Sequence, residues 1–238
     1  FNYAHNIAFN EQERAYIKDH EPIQVLLYND LGYLFCRYDK DEQCYKGIVV
    51  DTLELLSDRS GLKFELIPPD EQSSWEYLPQ HPDMLIAPFF QSDIIKTSES
   101  LMALNPIIKG NMIAFTRNNE TIDLDGAFTL ALPLGNYEAE QALRLHFPNA
   151  KFVACNYPLE GLDMLRNGQV DMTLVNEIVG TYRIQSPYFK NLQANDAVHI
   201  AEDMTLGLSK NSSPELISIL NKGIASLSVR DIQQIVVN

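Results

Sequence analysis

Two stretches of this sequence decide its fold: KGIVVDTLELLSDRSGLKFEL at Lys46–Leu66 and LRNGQVDMTLV at Leu165–Val175. In the first, apolar residues recur at the spacing of one helix face, and a strand-like run follows Gly61. In the second, the end of a helix, a turn at Gly168 and a short strand follow one another. Each stretch predicts a helix that leads directly into a strand, which is typical of α/β folds.

Helix and strand patterns alternate along most of the chain. Asn10 with Glu13 has the pattern of a capping box, and Ser213 followed by Pro214 is a typical helix start. The predicted helices are Glu11–Asp19, Gly47–Arg59, Ser73–Leu78, Tyr137–His146, Leu159–Asn167, Ile178–Ile184, Ser213–Ile224 and Ser228–Val237. The predicted strands are Ile23–Tyr28, Leu62–Ile67, Met84–Pro88, Asn111–Arg117, Phe128–Leu132, Lys151–Ala154, Asp171–Val175 and Ala197–Leu208. This order favours mixed sheets with helices on their faces.

Both signature stretches resemble patterns of the bacterial type II periplasmic (extracellular) solute-binding protein family 3. The matching positions are Gly47, Asp51, Gly61, Phe64, Leu165, Gly168 and Asp171. The segment EQERAYIKDHEPIQVLL, residues 11–27, resembles the helix that precedes the first strand in sensor histidine kinases and GGDEF diguanylate cyclases. The resemblance implies an α/β, two-lobed periplasmic-binding-protein-like II fold, or Venus flytrap, with two crossing strands between the lobes. The order of elements then predicts a first lobe of residues 1–113 and 203–238, and a second lobe of residues 114–202.

Composition limits the partners of this chain. The 18 lysines and arginines are outnumbered by 32 aspartates and glutamates, for a formal net charge of −14. This argues against a nucleic-acid partner, since phosphate contacts need clustered basic residues. No stretch approaches the roughly 20 apolar residues of a membrane helix. The start at FNYAHN, without Met, predicts a piece excised from a longer chain. The resemblance implies an extracytoplasmic ectodomain whose membrane tether lies outside this segment, in a receptor that could dimerise.

The cysteines are Cys36, Cys44 and Cys155. Cys36 and Cys44 flank a charged, turn-like segment between two strand-like runs, so a disulfide across a hairpin is one hypothesis. Two reduced thiols are the alternative, because spacing alone does not determine strand register. Cys155 has no predicted partner, and no spacing indicates a zinc site.

In two-lobed α/β proteins a ligand binds in the crevice, beyond the strand ends and at helix N-termini. The resemblance implies that aromatic and hydroxyl groups of the first lobe contact the ligand. The candidates after the first strand are Tyr28, Asp30, Tyr33 and Phe35, and those in a loop after Met84–Pro88 are Phe89, Phe90 and Ser92. In the second lobe, Gly135, Asn136 and Tyr137 stand at a helix start, where free N–H groups attract an anion. Trp75 and Tyr182 complete the candidate contacts.

Two positions depart from the amino-acid-binding pattern of the family. Asn176 occupies the place of an aspartate that holds the ligand's ammonium group. Ser98 occupies the place of an arginine that binds the α-carboxylate, with Lys96 two residues away. We therefore expect a small-molecule ligand that is not a standard α-amino acid.

No sequence motif of a hydrolase, a metalloprotease or a nucleotide-binding enzyme is present. Glu177 and Asp30 are the one carboxylate pair that could act as acid and base. We predict no enzyme activity, no cofactor and no metal. The favoured function is a ligand-sensing domain of a membrane signalling receptor; the alternatives are the substrate-binding protein of an ABC importer and a dehydratase-like enzyme.

Overall fold

The computed structural model describes residues 7–28, 34–68, 75–94, 99–133 and 137–237, without the side chains of residues 75 and 76. The helices are α1 (Glu11–Asp19), α2 (Ile48–Ser60), α3 (Tyr137–Arg144), α4 (Glu160–Arg166), α5 (Glu177–Arg183), α6 (Pro214–Ala225) and α7 (Val229–Val237). The strands are β1 (Ile23–Leu27), β2 (Arg37–Asp39), β3 (Cys44–Lys46), β4 (Phe64–Ile67), β5 (Leu85–Ser92), β6 (Leu101–Ala103), β7 (Asn111–Arg117), β8 (Thr129–Pro133), β9 (Lys151–Cys155), β10 (Met172–Asn176) and β11 (Leu192–Ser209). Short 3₁₀ helices span Trp75–Gln80 and Pro187–Phe189.

In the described part of the chain, nine strands form one mixed sheet in the order β4-β1-β5-β11-β7-β10-β8-β9, with β6 beside β11. The outer pairs β1–β4, β1–β5, β8–β9 and β8–β10 are parallel, as helical crossovers require. The central pairs of β11 with β5 and β7 are antiparallel. Helix α2 contacts α6 and α7, and α4 and α5 pack on strands of the second half of the sheet. The predicted α/β fold class is confirmed.

Strand β11 joins the two halves of the sheet. Residues 192–201 pair with β7, whereas residues 202–208 pair with β5. The pairing thus changes between Ala201 and Glu202, one residue before the predicted lobe boundary. The first lobe contains β1, β4, β5, β6 and residues 202–208 of β11. The second lobe contains β7–β10 and residues 192–201 of β11. The residue bounds of the two lobes stay a prediction.

The first signature stretch is explained by its glycines. Gly47 precedes α2 at a φ of 131°, and a Cβ built there would lie 2.5 Å from the backbone oxygen of Phe35. Gly61 ends α2 in the left-handed conformation, with φ of 83°, and its N–H donates to the oxygen of Ser57. Both positions require glycine, the first for space and the second for backbone conformation.

The second signature stretch is explained by Asp171. Its Oδ2 accepts hydrogen bonds from the N–H of Thr129 at 2.9 Å and from its hydroxyl at 3.0 Å, while Oδ1 lies 3.3 Å from Arg117. The guanidinium also donates to the backbone oxygens of Leu165 and Val170. The hydrogen bond from Thr129, with Arg117 close by, lowers the pKa of Asp171 despite its partial burial. Asp171 therefore ties the end of α4 and two strands together, which is a structural role.

The structure corrects the prediction that Phe89, Phe90 and Ser92 lie in a loop. Strand β5 continues through Ser92, four residues beyond the predicted end at Pro88. The continuation is stabilised by β11, in which Met204 pairs with Phe90 and Glu202 pairs with Ser92. A partner so distant in sequence leaves no local signal in the FFQS segment.

The disulfide hypothesis is wrong: Cys36 and Cys44 are free thiols, as is Cys155. The hairpin of β2 and β3 does form, but its register places Asp39 opposite Cys44. Cys36 lies three residues before Asp39, so the offset along the strand is about 10 Å. Disulfides require Cα atoms within about 4.4–6.8 Å.

Helix α1 is fastened to α6 by a buried carboxylate. Asn10 caps α1, its N–H donating to Glu13 at 2.9 Å while its side chain accepts from the N–H of Glu13 at 2.8 Å. The Glu13 side chain also accepts from Ser218 at 2.7 Å and from Lys222 at 2.5 Å, and the residue is only 1% exposed. Burial opposes the ionisation of Glu13, but these hydrogen bonds outweigh it and lower the pKa to about 2.

We predict that Glu13→Ala lowers the free energy of unfolding by about 2–4 kcal/mol, because it leaves Ser218, Lys222 and the N-cap without their shared acceptor. Urea titration measures the loss. Glu11→Ala, in the same turn but exposed, is the control and should change stability by less than about 0.5 kcal/mol. Because the pKa of Glu13 is depressed in the folded state, its contribution is complete above about pH 4.5 and declines towards pH 2. Equal effects of the two substitutions would contradict the buried clamp.

Candidate ligand-binding site

A cavity of about 180 Å³ lies between the two lobes, beside the middle of β11. Its lining is mostly apolar, as is typical of small-molecule sites. The first-lobe wall consists of Tyr28, Ile86, Pro88, Phe89, Phe90 and Leu101. The second-lobe wall consists of Met112, Leu130, Ala131, Leu132, Pro133, Cys155, Pro158, Thr173, Leu174, Val175, Asn176 and Val179. Glu202 completes the lining from β11.

The polar end of the cavity is formed by Asn176 and Glu202. Asn176 is the N-cap of α5, and its side-chain oxygen accepts from the N–H of Ile178 at 3.1 Å. This cap turns the amide nitrogen outward from the helix, and the nitrogen donates to Oε1 of Glu202 at 3.1 Å. Among the described residues, no other side chain donates to the Glu202 carboxylate. Two residues from different lobes of the sheet thus meet at the point where β11 changes partners.

The apolar surroundings shift the ionisation of Glu202. Burial raises its pKa to about 7, with a smaller contribution from the negative charge of Asp203, while the hydrogen bond from Asn176 opposes the shift. A carboxyl whose pKa lies near neutrality in a cleft is a typical mark of a functional site. Among the described residues that line this cavity, none is a lysine, an arginine or a histidine.

The structure places only part of the predicted site in this cavity. Tyr28, Phe89, Phe90 and Asn176 line it. Phe35 is buried beneath the site, edge-on to Phe90 with ring centroids 5.6 Å apart, and Ser92 is buried with its hydroxyl accepting from the N–H of Ile94. Tyr137 and Tyr182 are 69% and 46% exposed and do not line the cavity. Asp30, Tyr33, Ser98, Lys96, Gly135, Asn136 and the side chain of Trp75 lie outside the described residues, so their roles stay predictions.

Sequence reasoning missed Glu202. The predicted extended run Ala197–Leu208 contains it, but alternation along a strand does not tell which side faces a cleft. The neighbouring carboxylate, Asp203, accepts a hydrogen bond from the N–H of Gly110 at 3.3 Å. A charged residue at the middle of a crossing strand was the one available signal.

Of the carboxylate pair considered for acid and base catalysis, only Glu177 lies among the described residues. Glu177, one half of the considered acid and base pair, is exposed at the start of α5 and does not line the cavity. Within the described ranges, no group of three histidine, cysteine or acidic side chains could hold a metal ion. None of the described helices is both long enough and apolar enough to span a bilayer.

Comparison with known proteins relates the chain to bacterial sensors. No protein-family model matches it. Its sequence is similar to the virulence sensor protein BvgS of Bordetella pertussis (strain Tohama I), with 29% identity over 237 residues. The match covers 96% of this chain but 18% of BvgS, so the chain spans less than a fifth of the length of that relative.

Solved structures of sensor domains are also similar to this chain. The crystal structure of the periplasmic VFT2 domain of Bordetella pertussis BvgS is similar at 28% identity and a TM-score of 0.80, covering 98% of this chain and 99% of that domain. A histidine kinase sensor domain with similarity to periplasmic binding proteins matches in fold, at 17% identity and a TM-score of 0.68 over 90% of this chain and 92% of that one. The two-lobed fold predicted from the sequence is confirmed, as is the resemblance to the Venus flytrap domain of a sensor protein.

We predict that Glu202→Gln stabilises the protein more at pH 8 than at pH 5. A raised pKa means that the folded protein holds this proton more tightly than the unfolded chain, so stability falls as pH rises from about 4.5 to about 7. The neutral glutamine lacks this dependence, and the gain over wild type should grow by about 2 kcal/mol between the two pH values. Chemical denaturation at both pH values measures it. Glu177→Gln makes the same charge change at an exposed position, and an equal gain there would contradict the assignment.

Proposed function

We propose that this chain, a Venus flytrap domain of the periplasmic-binding-protein-like II class, is the extracytoplasmic ligand-binding sensor domain of a membrane signalling receptor. A small molecule binds in the interlobe cavity and stabilises the closed arrangement of the lobes. The receptor responds because the ligand has a higher affinity for one arrangement than for the other.

The observation that carries this proposal is a single cavity with walls from both lobes. Phe89 and Phe90 contribute from β5, Leu132 and Val175 from the second lobe, and Glu202 from the crossing strand. A ligand that contacts all three would favour one relative position of the lobes. The similarity to a periplasmic domain of a sensor protein supports a receptor rather than an importer.

The finer features of the function are also proposals. We propose that the domain has no catalytic activity, since the described lining of the cavity has one carboxyl group beside an amide and Glu177 is exposed. We propose that the receptor acts as a dimer and is tethered to the membrane outside this segment. Nucleic acid is not a partner in this proposal, given the net charge of −14.

We predict that metabolites which stabilise the wild-type domain in a thermal-shift screen stabilise Phe90→Ala much less. Removing this ring deletes apolar contact worth about 1–2 kcal/mol, so affinity should fall roughly 5- to 30-fold in titration calorimetry. Tyr182→Ala is the control, because Tyr182 is an aromatic residue outside the cavity lining. A ligand that loses affinity in the control and not in Phe90→Ala binds elsewhere.

We also predict that the domain does not bind the twenty standard α-amino acids tightly. The α-carboxylate would enter a cavity whose described lining offers no cation and contains the carboxyl of Glu202. Each charge-assisted hydrogen bond that is lost costs about 1.5–3 kcal/mol, or one to two decades of affinity. Calorimetric titration tests the series, and submicromolar binding of any member would overturn the prediction.

A further inference from the structure

The polar end of the interlobe cavity has an unused acceptor. Oε1 of Glu202 accepts from Asn176, whereas Oε2 accepts from no described residue and is not fully buried, so a ligand in the cavity can reach it. A carboxylate that accepts one hydrogen bond in an apolar site is poorly compensated, because an ionised carboxylate can accept about four. A ligand that supplies a donor here would relieve that deficit.

The charge of the site indicates the charge of that donor. Glu202 faces the cavity, with Asp203 next to it on its own strand. The other titratable groups in the described lining are Tyr28, just after β1, and Cys155 at the end of β9. Burial raises the pKa of the Cys155 thiol to about 11, so this group is neutral at physiological pH. None of these groups is a cation. Within the described lining, a protonated amine would meet one carboxylate and no competing positive charge.

The remaining walls describe the rest of the ligand. Around the polar end lie Phe89, Phe90, Leu130, Leu132 and Val179, none of which offers a side-chain hydrogen bond. The volume of about 180 Å³ is comparable with an apolar cavity of about 150 Å³ that holds benzene. It suits an apolar body of about one ring with a short chain.

We propose that the ligand is a small monoamine with an apolar body, whose ammonium group is bound by Glu202 and whose body lies between Phe90 and the second-lobe wall. The proposal rests on the proposed function, since it names the class of ligand for the same cavity. In this proposal Glu202 of β11 supplies the acidic group, since the second lobe has the neutral Asn176 where the amino-acid-binding pattern has an aspartate. A zwitterionic amino acid lies outside this class, because the described lining offers no cation for its carboxylate.

The test uses four probes of one shape: 2-phenylethylamine, the neutral 2-phenylethanol, the anionic 3-phenylpropionate and the zwitterion phenylalanine. Titration calorimetry at pH 8 compares them on the wild-type domain, on Glu202→Gln and on Asp203→Asn. Asp203→Asn is the matched control, because it removes the same charge one residue away and outside the cavity lining. We expect the amine to bind wild type and Asp203→Asn, and to lose at least about tenfold in affinity on Glu202→Gln. The alcohol should bind wild type and Glu202→Gln alike.

The pH dependence supplies a second readout that a merely structural role of Glu202 would not produce. The amine needs the ionised carboxylate, so its affinity for wild type should fall about tenfold per pH unit below pH 7. The alcohol should show no such fall.

The outcomes separate this inference from the proposed function. Equal amine affinity for wild type and Glu202→Gln, or tighter binding of the anion or the zwitterion, overturns the monoamine class while a ligand site in the cavity stands. If none of the four probes and no metabolite in the thermal-shift screen binds, both the inference and the proposed function fail.

Discussion

The continuous strand β11 is the constraint on which the rest of this structure depends. Its residues 192–201 complete the sheet beside β7, and residues 202–208 complete it beside β5. A single covalent strand therefore holds both lobes in one sheet. The cavity lies beside its midpoint, because that is where the strands of the two lobes diverge from a shared backbone.

The cost of burying Glu202 follows from that position. Placing a carboxyl at the junction of the two lobes brings it among apolar walls, and Asn176 compensates for only part of its lost hydration. Such a group has a different free energy in the open and the closed arrangement, since opening admits water. A ligand that neutralises it removes the penalty of closure, and that difference is what a conformational sensor requires. The same residue can thus set both ligand preference and the balance between the two arrangements.

Charged contacts fasten the peripheral helices α1 and α7 to the helices of the first lobe. Glu13 joins α1 to α6 through Ser218 and Lys222, and Arg59 of α2 joins α7 through Asp231 at 2.8 Å. Hydrogen bonds from the N–H of Ser228 and from Arg59 outweigh burial and lower the pKa of Asp231 to about 2. These charged contacts lie far along the chain from one another and fasten both peripheral helices to the same lobe. Both peripheral helices therefore belong structurally to the first lobe.

The sequence by itself determined the local elements, because their causes lie within a few residues. The capping box at Asn10 begins α1, glycines at 47 and 61 bound α2, and Ser213 with Pro214 begins α6. The order of these elements, with the resemblance of the two signature stretches, also predicted a two-lobed fold and placed Phe89, Phe90 and Asn176 among the candidate contacts. Only the tertiary structure decided the length of β5, the register that separates Cys36 from Cys44 and the position of Glu202. The length of β5 depends on a partner more than a hundred residues away, as for Ser92 and Glu202, and the register of the β2–β3 hairpin is not determined by the spacing of its cysteines. The ionisation of a carboxyl depends on which side chains the fold brings around it, and no local pattern in the sequence carries either kind of information.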